Sequence, residues 1–177
     1  MGERSLLLRA LPRPTGQDLL ELCRGLARTH HPSAHRVGLI VAPSAAQRCT
    51  DGFLRACRRL ADEFDLPAMI HCQETRMQIV TAEAFYGRSM VAHLADLGFL
   101  GPRTALVHGT WLSRRDLELI AASGATVQYN PWSNLDVGGA ERGVPFWYRC
   151  SGSYAPVAAI GNRDDIDWIA AETAAHP

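Results

Sequence analysis

Apolar positions along the chain change their period in a regular way from Arg36 onward. Val37-Gly38-Leu39-Ile40-Val41-Ala42 is a continuous apolar run ended by Pro43, and reads as a buried strand. Phe53, Cys57, Leu60, Ala61 and Phe64 then recur at helical spacing. Pro67 opens the next run, Ala68-Met69-Ile70, which ends at His71. The spacing of Phe85, Tyr86, Met90, Leu94 and Leu97 predicts one helix with these residues on its inner face and Gly98 as its stop. Thr104-Ala105-Leu106-Val107 is a further strand, ending at His108. Ser113 caps a helix with Asp116 in its first turn, which runs to Ser123 and stops at Gly124. Ala125-Thr126-Val127-Gln128-Tyr129 is the last strand of this series, ending at Asn130. Ahead of it, Leu19, Leu20, Leu22 and Leu26 form one stripe of a helix from about Gln17 to Thr29, with Asp18 and Glu21 at its positive end. His30, His31 and His35 surround Pro32 in a polar connection and read as solvated loop residues.

Short unalternating strands separated by helices predict parallel βαβ units with right-handed crossovers. An open doubly wound sheet and part of a barrel both satisfy this order. The length of 177 residues suits one domain. It falls short of the roughly 200 residues of even a small eight-stranded α/β barrel.

Composition narrows the function. The 18 basic and 18 acidic residues cancel, which argues against a nucleic-acid-binding surface. Every basic residue is Arg, so chemistry that needs a Schiff-base or phosphate-loop lysine is excluded. No apolar run reaches the ~20 residues of a membrane span, and the Leu6-Leu7-Leu8 cluster is split by Arg9 and lacks a small-residue cleavage site, so no signal peptide is expected. The five cysteines, Cys23, Cys49, Cys57, Cys72 and Cys150, are odd in number and show no CxxC spacing. They are expected to be buried or half-buried free thiols in a cytoplasmic protein. GxGxxG, GxxxxGK[ST] and GxSxG are all missing.

What remains is polar chemistry at strand ends: His71 with Glu74, then His108, then Asn130 with Ser133 and Asn134. In a parallel α/β sheet these ends share one edge, so the side chains should converge. Two imidazoles and a carboxylate suit a hydrolytic metal site. Imidazole is a ligand for zinc or iron, a bound divalent ion acidifies its water, and a carboxylate moves the released proton. The same residues have plainer uses. Asn130 before Pro131 also shapes a turn, Trp111 and Trp132 also serve as core or lid, and mid-helix His93 reads as structural.

Three ordered segments carry a family resemblance: Ile70-His71-Cys72-Gln73-Glu74-Thr75, Val107-His108-Gly109-Thr110-Trp111-Leu112, and Tyr129-Asn130-Pro131-Trp132-Ser133-Asn134-Leu135. Together they resemble the amidohydrolase superfamily, in its chlorohydrolase and aminohydrolase branch with the cytosine, guanine and triazine deaminases. The resemblance covers about residues 37–139. It implies an α/β fold that is part of an eight-stranded TIM-type barrel, roughly strands four to eight. Residues 1–36 would be a helical lead and 140–177 a diverged tail. It implies His71 as a metal ligand on the fifth strand, Glu74 as the proton shuttle and His108 as the sixth-strand residue orienting the attacking water. Asn130 and Ser133, with Trp111, would shape the substrate pocket. The implied reaction is metal-dependent hydrolysis of a carbon–nitrogen or carbon–halogen bond in a heterocyclic small molecule, with Zn or Fe as cofactor.

The chain also departs from that pattern. No His-x-His pair occurs, although the family's first strand carries one. Val157-Ala158-Ala159-Ile160-Gly161 resembles the eighth strand, yet Asn162-Arg163 stands where the family has Thr-Asp. Asp164, one position later, is the candidate for the remaining metal ligand. The expectation is a half-barrel that is incomplete as an isolated chain, or a degenerate one acting as a scaffold or binding module. No membrane or nucleic-acid partner is expected. Open sheet edges invite association into a homo-oligomer.

Overall fold

The computed structural model describes residues 14–31, 33–34, 38–130 and Ser133. The chain divides into two compact units, residues 1–39 and 40–177. In the first, α1 (Gly16–Thr29) starts at Thr15, whose hydroxyl accepts from the Asp18 amide while the Asp18 side chain accepts from the Thr15 amide. This reciprocal box satisfies two of the donors that a helix start leaves open. Leu19, Leu22 and Leu26 lie exposed along this helix.

The second unit runs through α2 (Asp51–Glu63), β1 (Ala68–Cys72), α3 (Arg76–Tyr86), α4 (Met90–Asp96), β2 (Thr104–His108), α5 (Arg114–Ser123) and β3 (Thr126–Gln128). The three strands form a parallel sheet in the order β1-β2-β3. Ile70 pairs with Leu106, and Leu106 with Val127, and all three are buried. One face of the sheet therefore joins the core, with Leu54, Leu60, Met90, Leu94 and Ile120 from the helices. Met69, His71, Ala105, Val107, Thr126 and Gln128 occupy the other face by the alternation of the strands.

Two expected elements differ, as do several side-chain placements. Of the run at residues 37–42, the described residues 38–42 make only a bridge, Val41 to Ala68. The Val41 amide donates to Pro67 O and the Met69 amide donates to Val41 O. The next donor in that parallel ladder would be residue 43, a proline without an N–H, so the ladder lapses and resumes where the His71 amide donates to Ser44 O. The single helix expected over Phe85 to Leu97 is two helices. Gly87 takes a left-handed conformation at φ 61 and closes α3, and Ser89 caps α4 with its hydroxyl on the Ala92 amide. Phe85, expected on the inner face, is exposed. Among the thiols, Cys57 and Cys72 are buried and Cys49 half-buried, but Cys23 is exposed because it lies on the open surface of α1; Cys150 lies outside the described residues. Among the described residues, no helix is long and apolar enough to cross a membrane.

Candidate active site

The carboxyl ends of β1 and β2 bring His71, Glu74 and His108 together. The His71 and His108 rings stack with centroids 5.3 Å apart and planes 28° apart. His108 Nε2 lies 3.4 Å from Glu74 Oε1. His108 is buried, Glu74 is half-buried and His71 is exposed on the open sheet face.

Each side chain is placed by an identifiable neighbour. Ser44 O lies 2.7 Å from His71 Nδ1. A carbonyl only accepts, so Nδ1 carries the hydrogen and Nε2 keeps its lone pair in the neutral ring. The Glu74 amide donates to Gln78 Oε1 at 2.9 Å, which ties the carboxylate's backbone to the first turn of α3. Beyond the strands the backbone pairing continues: the Gly109 amide donates to Cys72 O at 3.0 Å and the Trp111 amide to Gln73 O at 3.1 Å.

Two residues at these strand ends hold the left-handed conformation that side chains disfavour: Gln73 at φ 50 and His108 at φ 80. Each such residue costs roughly 1–3 kcal/mol and persists where its surroundings over-determine it. These turns break the alternation of the strands, so that His108 swings toward Glu74 rather than following its strand register.

The remaining candidates are less closely drawn in. Trp111 is half-buried, and its indole Nε1 is buried without a hydrogen-bond partner among the described residues. Asn130 is half-buried and its Oδ1 accepts from Gln128 Nε2 at 3.3 Å. Ser133 is half-buried. Trp132, Asn134 and Asp164 lie outside the described residues. His93 has its Nε2 3.0 Å from Asp51 Oδ1 and stacks on Tyr86 at 3.7 Å, a tie between helices away from the strand ends. Burial, and then the nearby charges of Asp51 and Cys49, push the Tyr86 hydroxyl above its ordinary range. Burial, and then the Asp116 carboxylate, push the Cys72 thiol far up, which leaves it protonated and unreactive. His30 and His31 bond locally, to the Thr29 and Ser33 hydroxyls.

Gln73 and Asp116 were not among the sequence candidates. Gln73 is wholly buried, and Asp116 is 2% exposed. The Ser-x-x-Asp spacing at residues 113–116 signals a helix cap, and nothing in it signals that the carboxylate is buried beneath the site.

Among the described residues, no group of three or more His, Cys, Asp or Glu side chains could hold a metal ion. Zinc sites take three or four protein ligands, so the imidazole pair and Glu74 do not by themselves fit the ion.

A sequence model of the amidohydrolase family matches residues 9–147. The chain belongs to the amidohydrolase family. It is 36% identical over 124 residues to the 5-methylthioadenosine/S-adenosylhomocysteine deaminase of Thermococcus kodakarensis, covering 70% of this chain and 29% of that protein. This amidohydrolase chain therefore spans less than a third of the curated relative. Among solved structures it resembles a zinc-bound adenosine deaminase from Xanthomonas campestris, with a TM-score of 0.53 and 34% identity over 55% of this chain and 22% of that one. It also resembles the zinc complex of an atrazine chlorohydrolase from Arthrobacter aurescens, with a TM-score of 0.58 and 17% identity over 70% of this chain and 30% of that one. These neighbours are TIM-barrel amidohydrolases, and this chain has an α/β fold with a three-stranded parallel sheet.

Proposed function

We propose that the chain carries part of the catalytic machinery of a hydrolase that removes an amino or halogen substituent from a heterocyclic small molecule, with a purine nucleoside-like compound as the first candidate. In this reading β1, β2 and β3 are the fifth, sixth and seventh strands of an eight-stranded barrel, within a half-barrel over residues 37–139. The observation that carries it is the approach of Glu74 Oε1 to His108 Nε2 at 3.4 Å, beside the His71 ring. Relatives named as deaminases of adenine-derived compounds support the substrate class.

The chain's own residues divide the work as follows. Glu74 accepts a proton from the attacking water and delivers it to the departing nitrogen. Water and an amino-substituted ring then become the hydroxylated ring and ammonia, with the carboxylate regenerated. A positioned carboxylate of this kind is worth about 10²–10⁴ in rate. His108 orients the water through Nε2, and Asn130, Ser133 and Trp111 line the substrate pocket. His71 and Asp164 are the proposed ligands of a divalent ion, Zn or Fe. Because the described donors do not complete its coordination, no step is assigned to that ion. That same shortfall favours a second reading, in which the fragment binds or scaffolds without turnover.

Ammonia release from 5-methylthioadenosine by the purified chain, with zinc supplied, separates the two readings. Catalysis predicts release that falls by about 10²-fold or more in Glu74→Gln. Equal rates in the wild type and the variant, or none in either, leave only the scaffold.

A further inference from the structure

Two capping boxes occur among the described residues, and they differ in how many partners the carboxylate takes. At α1, Asp18 is exposed and takes hydrogen bonds from the Thr15 amide and hydroxyl alone, both at 2.7 Å. At α5, Asp116 Oδ2 takes the equivalent bonds from the Ser113 amide at 2.9 Å and hydroxyl at 2.7 Å. It then takes two more. Gln73 Nε2 donates to Oδ2 at 3.3 Å, and the Ser89 hydroxyl donates to Oδ1 at 2.5 Å. A cap needs neither of these additions, and each crosses to another element.

Gln73 is the more telling partner. Its side-chain amide has two hydrogens, and both are used: one on Asp116, the other on Trp111 O at 2.7 Å. Its own carbonyl accepts the Trp111 amide at 3.1 Å. Gln73 is thus clamped on both sides to the segment that follows His108, while Glu74 is its immediate successor. The anchor beneath it is a buried carboxylate at the start of a helix, where charge-assisted bonds and the helix dipole both hold it.

We propose that Gln73, anchored by Asp116, is a positioning residue that holds the end of β1, which carries both His71 and Glu74, at a fixed distance from His108 and so sets the separation of Glu74 and His108. The inference rests on the reading of that pair as the proton-handling groups. Gln73 touches no reacting atom; its side chain adds to the backbone pairing of the two strand ends a tie that runs to the start of α5.

The test compares Gln73→Met, which keeps the volume and removes both donors, with Ser113→Ala, which weakens the cap and keeps the bridge. The readouts are the nuclear Overhauser effect between the His71 and His108 ring protons, hydrogen exchange of the Trp111 amide, and the melting temperature. We expect Gln73→Met to cut the ring-to-ring effect by about half or more and to speed Trp111 exchange about tenfold, which corresponds to about one hydrogen bond's net contribution. Ser113→Ala should lower the melting temperature and leave the ring contact unchanged. If Gln73→Met does not fold, Asp116→Asn supplies the same comparison, and in a chain carrying both changes the second should add little to the first. An unchanged ring contact in Gln73→Met, or in Asp116→Asn where that variant stands in, overturns the proposal. So does a loss that merely tracks melting temperature across the variants. Where the wild type turns over substrate, Gln73→Met should lower kcat about tenfold with KM unchanged. A wild type without turnover defeats the catalytic reading, while the ring contact still decides the positioning role.

Discussion

At the carboxyl ends of β1 and β2 the chain places His71, Gln73, Glu74 and His108, while the amino ends of the same sheet carry Pro67, Ala68, Thr104 and Thr126. The amino end is quiet. The Thr104 hydroxyl donates to Phe99 O at 3.0 Å and accepts from Arg58 Nη1 at 3.3 Å, and its amide donates to Gly101 O at 2.9 Å. Its nearest left-handed side chain, Asp65 at φ 49, is exposed just after α2, where an aspartate takes that conformation readily. The carboxyl end instead holds two strained residues and a buried carboxylate, and of the buried polar atoms there, Gln73 Oε1, Thr110 Oγ1 and Trp111 Nε1 have no partner among the described residues. At the amino end only Arg58 Nε is a buried atom without a partner among the described residues; the carboxyl end keeps strained backbone and three such atoms where chemistry is proposed.

The difference breaks most visibly in the middle of the strands. Ile70→Ala or Leu106→Ala should cost about 2–5 kcal/mol, because both side chains are fully buried and leave cavities. His71→Ala, one position from Ile70 on the open face, should cost only the bond to Ser44 O, about 0.5–1.5 kcal/mol. Urea unfolding of the three variants checks the ordering, and equal losses would contradict a one-sided core.

Gly109, just past β2 at the carboxyl end, comes next. It sits at φ 59, and a Cβ there would lie 2.7 Å from Val127 Cγ1 and 3.0 Å from Leu112 Cδ1. Gly109→Ala should therefore destabilise by about 1–3 kcal/mol and shift the His108 ring resonances, since the crowding is relieved only by moving the segment that carries them. A destabilised variant with unmoved His108 resonances would uncouple backbone strain from the site.

These particulars show what the sequence could and could not express. The runs at residues 68–71 and 104–107 and the Ser113 cap were legible because apolar period and capping chemistry are local. The meeting of His71, Glu74 and His108 at one edge was legible too, since parallel strands leave little choice. The break between α3 and α4 was obscured by apolar spacing that continues in step through Tyr86 and Met90, although Gly87 and Ser89 are ordinary stop and start signals. The lapse at Pro43 depends on which amide the register asks for, and register is not a local property. Gln73 stands between two candidate residues, His71 and Glu74, and nothing local marks it. Its role depends on a carboxylate 43 positions away that a surface cap and a buried anchor would spell identically.

Caps away from the site supply a smaller effect. Thr50 accepts the Phe53 amide at 3.2 Å and starts α2 without reaching any strand-end residue. Thr50→Ala should cost about 1 kcal/mol in denaturant titration and leave the His71 and His108 rings in place. Movement of those rings would mean that any weakened cap disturbs the site, and the contrast with the α5 cap would lose its meaning.

The smallest effect concerns the exposed cap of α1. The Thr15 amide, and then its hydroxyl, hold the Asp18 carboxyl below the ordinary aspartate value. A carboxyl depressed in the folded state stabilises that state only while ionised. Its contribution is therefore complete above the unfolded value of about 3.9 and is lost as pH falls through the lower folded value. The Asp18 carboxyl carbon, followed by NMR during acidification, should titrate with a midpoint below about 3.9, and the Thr15 amide should move with it as its acceptor is protonated. Full exposure to water keeps the energetic consequence small, so the start of α1 should fray while the strands of the second unit keep their signals. A midpoint at or above the ordinary value would show that the box at Thr15 is not formed in solution. The comparison with Asp116 would then reduce to one cap rather than two.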